Sequence, residues 1–491
     1  LEGYFQVMKW LNVIDTAFAA PEYSELSARV AWRPGRHRLM LTAMRSGDSL
    51  ALVDSADASL VNFDGRFELR NALNLFALDH TFTASPDTTW RTTAALTIDR
   101  SFLARDLGGV TARTYRTWRG YARTDLDTRP DEGPLQLQLG ADAAVTRLFA
   151  EGEIEDPRVV PQWANTGIVD LGQPTVELGE IAAYPDASAY GQVVMDLAPA
   201  QVRTGLRVRY AGATDEVLAS PSAGLSVPLP TGTVPKVAFG LYHRTPRDPI
   251  VLDPDLGNAG IGSEHAAQLV FGIDQGFPLP GNEAGGLLRI EGYSTLRTGL
   301  VVRPDAFDPL DPGPPRDRFS NQGTGHDRGL DVLVGARAGR LSGMATYAYL
   351  RSDRVNPLNT VFPTEVAPTQ DQRHTFGVSA EWQLTARWRT TARYTFHTGR
   401  PVSRIVAAGE DYGAVDCLNC DRLGPTHDLA LRGEWRRAYD RYLLSIYLEV
   451  LNAPNFRSPF TPIATVKDGV LDSSMLYHLP VRPFLGIRAD F

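Results

Sequence analysis

Apolar and polar side chains alternate with a period of two along most of this chain, and helical periodicity is scarce. Leu26, Ala28, Val30 and Trp32 alternate with Glu25, Ser27 and Arg29. Val202, Leu206, Val208 and Tyr210 alternate with Arg203, Arg207 and Arg209. The segments 376–382, 388–396, 429–435 and 442–450 read the same way. A strand turns successive side chains to opposite faces, so each segment has one apolar and one polar face. The pattern predicts about 20 strands, far more than one soluble sandwich uses.

The predicted connections alternate in length. Short turns fall near 33–36, 84–88, 338–340, 385–387 and 437–440, and long Pro/Gly-rich loops near 151–175, 302–325, 354–371, 399–425 and 453–477. Short turns on one rim and long loops on the other are the pattern of an outer-membrane barrel, with the short rim periplasmic. Trp32, Trp90, Trp382, Trp388 and Trp435, five of the eight tryptophans, sit near short turns, where indoles form an interfacial girdle. The predicted fold class is therefore all-β: one large antiparallel transmembrane barrel.

Composition narrows the function. The chain has 491 residues, 22% of them charged, and no apolar run approaches the roughly 18 residues of a membrane helix. Barrel strands escape that test because only half of their residues face lipid. A net charge of -8 argues against a nucleic-acid partner. Two cysteines exclude a disulfide scaffold.

Charge on the polar faces follows the same logic. Arg207, Arg209, Arg389, Arg393 and Arg432 interleave with Glu291 and Glu434 on the expected lumen face, joined by Arg203, Glu25, Glu381 and Glu449. Facing lipid near the midplane, such charges would cost about 2–4 kcal/mol each. A lining of mixed sign suits a docked polar plug better than a selective open pore.

Several segments resemble the barrels of TonB-dependent outer-membrane receptors, in order and over nearly the whole chain. Asp371-Gln-Arg-His opens a hairpin ending in His397-Thr-Gly-Arg-Pro401, similar to the family's DxRH and SGRP, with Thr398 in place of Ser. Val450, Asn452 and Asn455 match its VxNxxN, and Glu291 with Tyr293 its EGY. Segments 238–246 and 479–491 resemble the strand before a central extracellular loop and the final strand. That final strand, with Leu485 and Ile487 on one face and Phe491 at its end, resembles the signal read by the barrel assembly machinery.

The resemblance implies an outer-membrane receptor of a Gram-negative bacterium. It implies TonB-energised import of a siderophore, vitamin, glycan or peptide, with the lipid bilayer, TonB and the assembly machinery as partners. The barrel is expected to span 1–491 and to include about 20 of 22 strands. The plug and first two strands are expected before Leu1, leaving edges near 3–8 and 479–491. The alternative function is a passive porin.

Catalytic candidates are weak. No nucleophile elbow, phosphate loop or dinucleotide fingerprint appears, and no cofactor is implied. Cys417 and Cys420 have a CxxC spacing but lack further zinc ligands, so a loop disulfide is expected. Asp305, Asp308, Asp311 and Asp317, and Asp248, Asp253 and Asp255, enrich two loops in oxygen ligands without matching a defined calcium motif. No metal is assigned.

Overall fold

A computed structural model describes residues 22–53, 66–106, 110–130, 133–155, 168–169, 175–246, 248–252, 257–280, 284–305, 319–408 and 413–490. Its strands, in chain order, are β1 (Glu22–Trp32), β2 (His37–Val53), β3 (Arg66–Ser85), β4 (Thr88–Asp106), β5 (Val110–Thr128), β6 (Leu135–Glu155), β7 (Ile168–Val169) and β8 (Thr175–Leu197). There follow β9 (Ala200–Ala211), β10 (Glu216–Ser226), β11 (Thr233–Arg244), β12 (Glu264–Pro278), β13 (Gly285–Val302), β14 (Ser320–Ala338), β15 (Leu341–Val355), β16 (Glu365–Val366) and β17 (His374–Gln383). The last are β18 (Trp388–His397), β19 (Pro401–Ala407), β20 (Gly413–Arg422), β21 (Thr426–Ala438), β22 (Leu443–Leu451), β23 (Pro459–Lys467), β24 (Val470–Tyr477) and β25 (Arg482–Asp490).

Twenty of these strands form one sheet, each long strand pairing antiparallel with its neighbours in sequence. Directly paired residues share a face, so register transmits sidedness across the whole sheet. One row runs Val30, Leu41, Leu78, Ala94, Ala122, Ala143, Ala187, Tyr210 and Val217, apolar throughout. This is the outer face. Leu26, Val217, Leu485 and Ile487 stand 72–77% exposed on it, an arrangement that is stable only in an apolar solvent. Val208, Val378, Ile446 and Leu448 are also exposed there. Leu444 shares that face through its register with Ala489.

The rims differ. Chain reversals after β1, β3, β8, β14, β17 and β21 take a few residues, whereas those after β13, β15, β18 and β22 are long. Trp32, Trp90, Trp382 and Trp388 are exposed beside the short turns, and Trp435 lies in register with Trp388. Four connections that the sequence reads as plain loops contain strands of their own. β19 and β20 form a ribbon, β23 pairs with β24 and with β7, and β16 adds to β15. These strands are short, β19 and β23 carry proline, and β19, β23 and β24 pack on each other around Ala464, Ile405 and Leu471. A long period-two run is therefore missing from them.

Among the described residues, β1 pairs only with β2 and β25 only with β22. Both run toward the short-turn rim. The edge expected near 3–8 lies outside the described residues, as does Phe491.

Candidate functional site

The inner face is a wall of ion pairs. Glu434 on β21 is nearly fully buried and accepts hydrogen bonds from Arg389 at 2.7 Å and Arg436 at 3.0 Å, with Arg432 at 3.5 Å. Arg389 also reaches Glu381 at 3.1 Å, and Arg432 lies 3.7 Å from Glu449. Four strands, β17, β18, β21 and β22, thus hold one network. It forms because alternation brings Glu381, Arg389, Arg432, Glu434 and Glu449 to the same side.

Two further networks line β5–β9. Arg207 donates to Asp142, which also accepts from Ser188 at 2.7 Å, and Arg209 donates to Asp186 at 2.8 Å. Tyr190 donates to Asp125, which is held bidentately by Arg123 at 2.7 and 2.9 Å. The guanidinium groups of Arg123 and Arg207 lie 5.4 and 5.0 Å from the Tyr190 ring. On β11–β13, Asp274 joins Lys236 and Arg289. On β13–β15, Asp327 joins Arg297 and Arg354, with Arg354 at 2.8 Å. Glu291 faces the same side, in register with Gly272 and Asp331. Arg393 is inward, in register with Ser379 and Ala430, and has no ion-pair partner among the described residues.

Three tyrosines of this face lie over cross-strand glycines. A Cβ on Gly140, Gly329 or Gly486 would stand 2.1–2.2 Å from the ring of Tyr190, Tyr293 or Tyr447 respectively. Each is the tyrosine's register partner. The missing side chain lets the ring fold down onto the wall.

On the long-loop rim, Asp371 is fully buried and ties three segments together. It accepts from Arg373 at 2.9 Å, from Arg422 and from the amide of Ser352 at 3.1 Å. Arg422 also donates to the carbonyls of Asp371 and Gly399 at 2.7 and 3.1 Å. The DxRH segment is thus the clamp between the 356–373 and 398–425 connections. Asn452, with φ 47°, accepts from the Phe456 amide at 2.8 Å and donates to the carbonyls of Phe456 and Leu479. Asn455, with φ 57°, accepts from the Val481 amide at 3.1 Å. Asn tolerates this left-handed backbone, so these two residues shape the entry into β25.

Asp305 accepts four hydrogen bonds, from the amides of Thr360, Val361 and Phe362 at 2.7–2.8 Å and from the Thr360 hydroxyl at 3.0 Å. Burial works to raise its pKa, but these donors hold it below the ordinary carboxylate range. Its oxygens therefore serve as a loop latch. Asp248 accepts from the Ile250 amide at 3.0 Å and caps the short helix Pro249–Leu252. Asp253, Asp255, Asp308, Asp311 and Asp317 lie outside the described residues. Cys417 and Cys420 are joined in a disulfide within β20, their Cα atoms 5.8 Å apart. Leu485 and Ile487 are on the outer face.

The sequence reading picked out the arginines of the wall and passed over most of their acids. Asp125, Asp142, Asp186, Asp274 and Asp327 were open to the same period-two count, but three of them sit beside other polar residues that blur the alternation. Asp371 belongs to no strand, so only its motif marked it.

Residues 13–453 match the family described as TonB dependent receptor-like, beta-barrel. No curated protein matches the sequence. Among solved structures, the outer membrane transporter YddB from Escherichia coli superposes with a TM-score of 0.66 at 12% identity, covering 95% of this chain and 69% of its own. The copper transporter OprC gives 0.67 at 12%, covering 96% and 72%. BauA, the ferric preacinetobactin receptor from Acinetobacter baumannii, gives 0.64 at 10%, covering 96% and 72%. At these identities the likeness concerns the fold.

Proposed function

Because the chain belongs to the TonB-dependent receptor β-barrel family, we propose that it serves TonB-energised import of a scarce solute: a siderophore, vitamin, glycan or peptide. It is an outer-membrane transport protein and not an enzyme.

The observation that supports energised import is the wall's charge pattern. Its acids and arginines neutralise one another in pairs around Glu434, Asp142, Asp274 and Asp327. A passive porin selects ions with one dominant sign at a constriction. A lining of mixed sign, most of it paired, instead suits a polar plug domain that docks and rearranges, since exchanging one hydrogen-bonded partner for another costs little. The assembly machinery fits the same reading, through the outward Leu485 and Ile487 of the last strand.

The test is uptake by cells that carry the full-length protein, with and without functional TonB. Labelled iron chelates, cobalamin, oligosaccharides and peptides are offered in turn. Import of one class, abolished without TonB, is the expected result. Size-limited uptake that ignores TonB, together with a steady conductance in planar bilayers, would establish the porin instead.

A further inference from the structure

We propose that the periplasmic mouth of the lumen carries an exit subsite for solutes bearing oxyanions, carboxylate or phosphate, between the β1–β2 and β3–β4 turns. It rests on energised import with the short-turn rim periplasmic, and it narrows the solute to an anionic one. A cavity of about 430 Å³ opens there, with Arg33, Arg36, Arg38, Thr83 and Ser85 in its lining. Register places it on the lumen side. Ala31, Met40 and Asp79 form the inward row next to the apolar row of Val30, Leu41 and Leu78. Arg38 and its register partner Thr81 are the next inward pair toward the short-turn rim, and alternation puts Thr83 on the same side. His37 falls on the outer face, where its ring meets His80 at 3.0 Å.

Backbone contacts fix the shape of the cavity. Gly35, with φ 58°, makes the β1–β2 reversal, and the His37 amide donates to the Pro34 carbonyl at 3.1 Å. Glycine takes this left-handed backbone without steric cost. The Thr83 amide donates to the Arg36 carbonyl at 2.9 Å, and the Arg36 guanidinium donates to the Ala84 carbonyl at 3.0 Å. The two turns are thereby tied to each other, and the Arg36 fork is oriented before any ligand arrives.

The cations of this corner lack a counter-charge. Arg33, Arg36 and Arg38 are exposed and pair with no acid among the described residues. Arg38 lies 3.9 Å from the sulfur of Met40. Asp79, one inward row away, accepts instead from Thr93 at 2.7 Å. Arg129, at the β5–β6 turn of the same rim, shows the contrast: it meets Asp196 and the Gly133 carbonyl. Three like charges around one cavity repel, and an oxyanion that bridges them removes the repulsion. Guanidinium forks take carboxylate and phosphate oxygens bidentately, and the Thr83 and Ser85 hydroxyls are further donors. A protein partner engages about 20–30 residues a side, whereas nine line this cavity, whose volume is that of a small-molecule site. A solute leaving the mixed-sign wall thus meets a site of single sign at the exit.

The experiment is isothermal titration of the full-length protein, in an uncharged detergent, with citrate, with inorganic pyrophosphate and with sucrose. Both anions should bind saturably at one site, and sucrose should not bind. Arg33→Gln and Arg38→Gln should each weaken anion binding about tenfold, as expected for the loss of one charge-assisted contact. Arg437→Gln, which removes an exposed rim arginine outside the cavity, should leave it unchanged. Absence of saturable anion binding by the wild type overturns the proposal without recourse to any variant, including the case in which an acidic segment of the same protein fills the cavity. Equal binding of sucrose overturns it, and so does undiminished binding in both arginine variants. The reading beneath fails separately. Uptake that ignores TonB defeats energised import whatever the titrations give, and TonB-dependent uptake of an uncharged solute defeats this inference alone.

Discussion

Tyr447 lies flat across Gly486, its ring 2.2 Å from where a Cβ on that glycine would stand, and the Arg432 guanidinium sits 3.8 Å from the ring centre. The two strands concerned, β22 and β25, form the last pairing of the sheet. β25 has no second neighbour among the described residues, and the ring packs on the inner face of this last pairing. Aromatic cover over a strand glycine is a recurrent way to hold register.

Gly486→Ala should therefore destabilise the barrel by about 1–3 kcal/mol, the usual cost of overpacking. Tyr447→Ala opens the space, so the double variant should cost clearly less than the two single changes added together. Urea unfolding in detergent micelles measures all three. Strict additivity would show that the ring and the glycine do not depend on each other.

Sidedness makes an independent prediction. Leu206 is half exposed on the outer face of β9, well inside the apolar band, whereas Gln192 on β8 faces the lumen. Leu206→Arg should cost about 2–4 kcal/mol in a bilayer, and Gln192→Arg less than about 1 kcal/mol. Folding into vesicles of defined thickness separates the two. Equal penalties would mean that the faces are assigned wrongly.

How much of this was legible beforehand depended on whether a residue sits in a long strand. Val208 and Arg207 could be placed on opposite faces from alternation alone, because β9 repeats the pattern over its whole length. The short turns were equally legible, since a reversal of a few residues leaves little room for alternatives. Asp371 and Asp305 were not legible as loop clamps. Each acts through backbone amides and distant arginines, and nothing periodic links Asp305 to Thr360 or Asp371 to Arg422.

Asp371→Ala should free the 356–373 and 398–425 connections while leaving the sheet intact. Removing a buried carboxylate strands its cations, which costs about 3–5 kcal/mol when they stay buried. Arg373 and Arg422 are each about a third exposed and will rehydrate in part, so about 2–3 kcal/mol is expected here. Limited proteolysis should show new cleavage in those two segments and none in β17 or β18. Unaltered protection of both loops would rule out the clamp.

The Asp305 latch should open only in acid. Its folded pKa is depressed because the amides of Phe362, Thr360 and Val361 outweigh the effect of burial. The undocked loop, with an ordinary carboxylate near 3.9, then binds more protons than the docked one. The stabilisation is complete above that ordinary value and is lost as pH falls through the folded value. At neutral and mildly acidic pH the loop stays docked, and below about pH 4 protection should decline. Hydrogen-exchange protection factors at Thr360, Val361 and Phe362 report this, corrected for the intrinsic slowing of exchange in acid. Asp305→Asn should weaken protection at neutral pH and flatten its pH dependence, because the amide side chain cannot take up the proton. Protection in the wild type that stays constant down to about pH 2.5, far below the ordinary carboxylate value, would show that the loop is held by something other than this carboxylate.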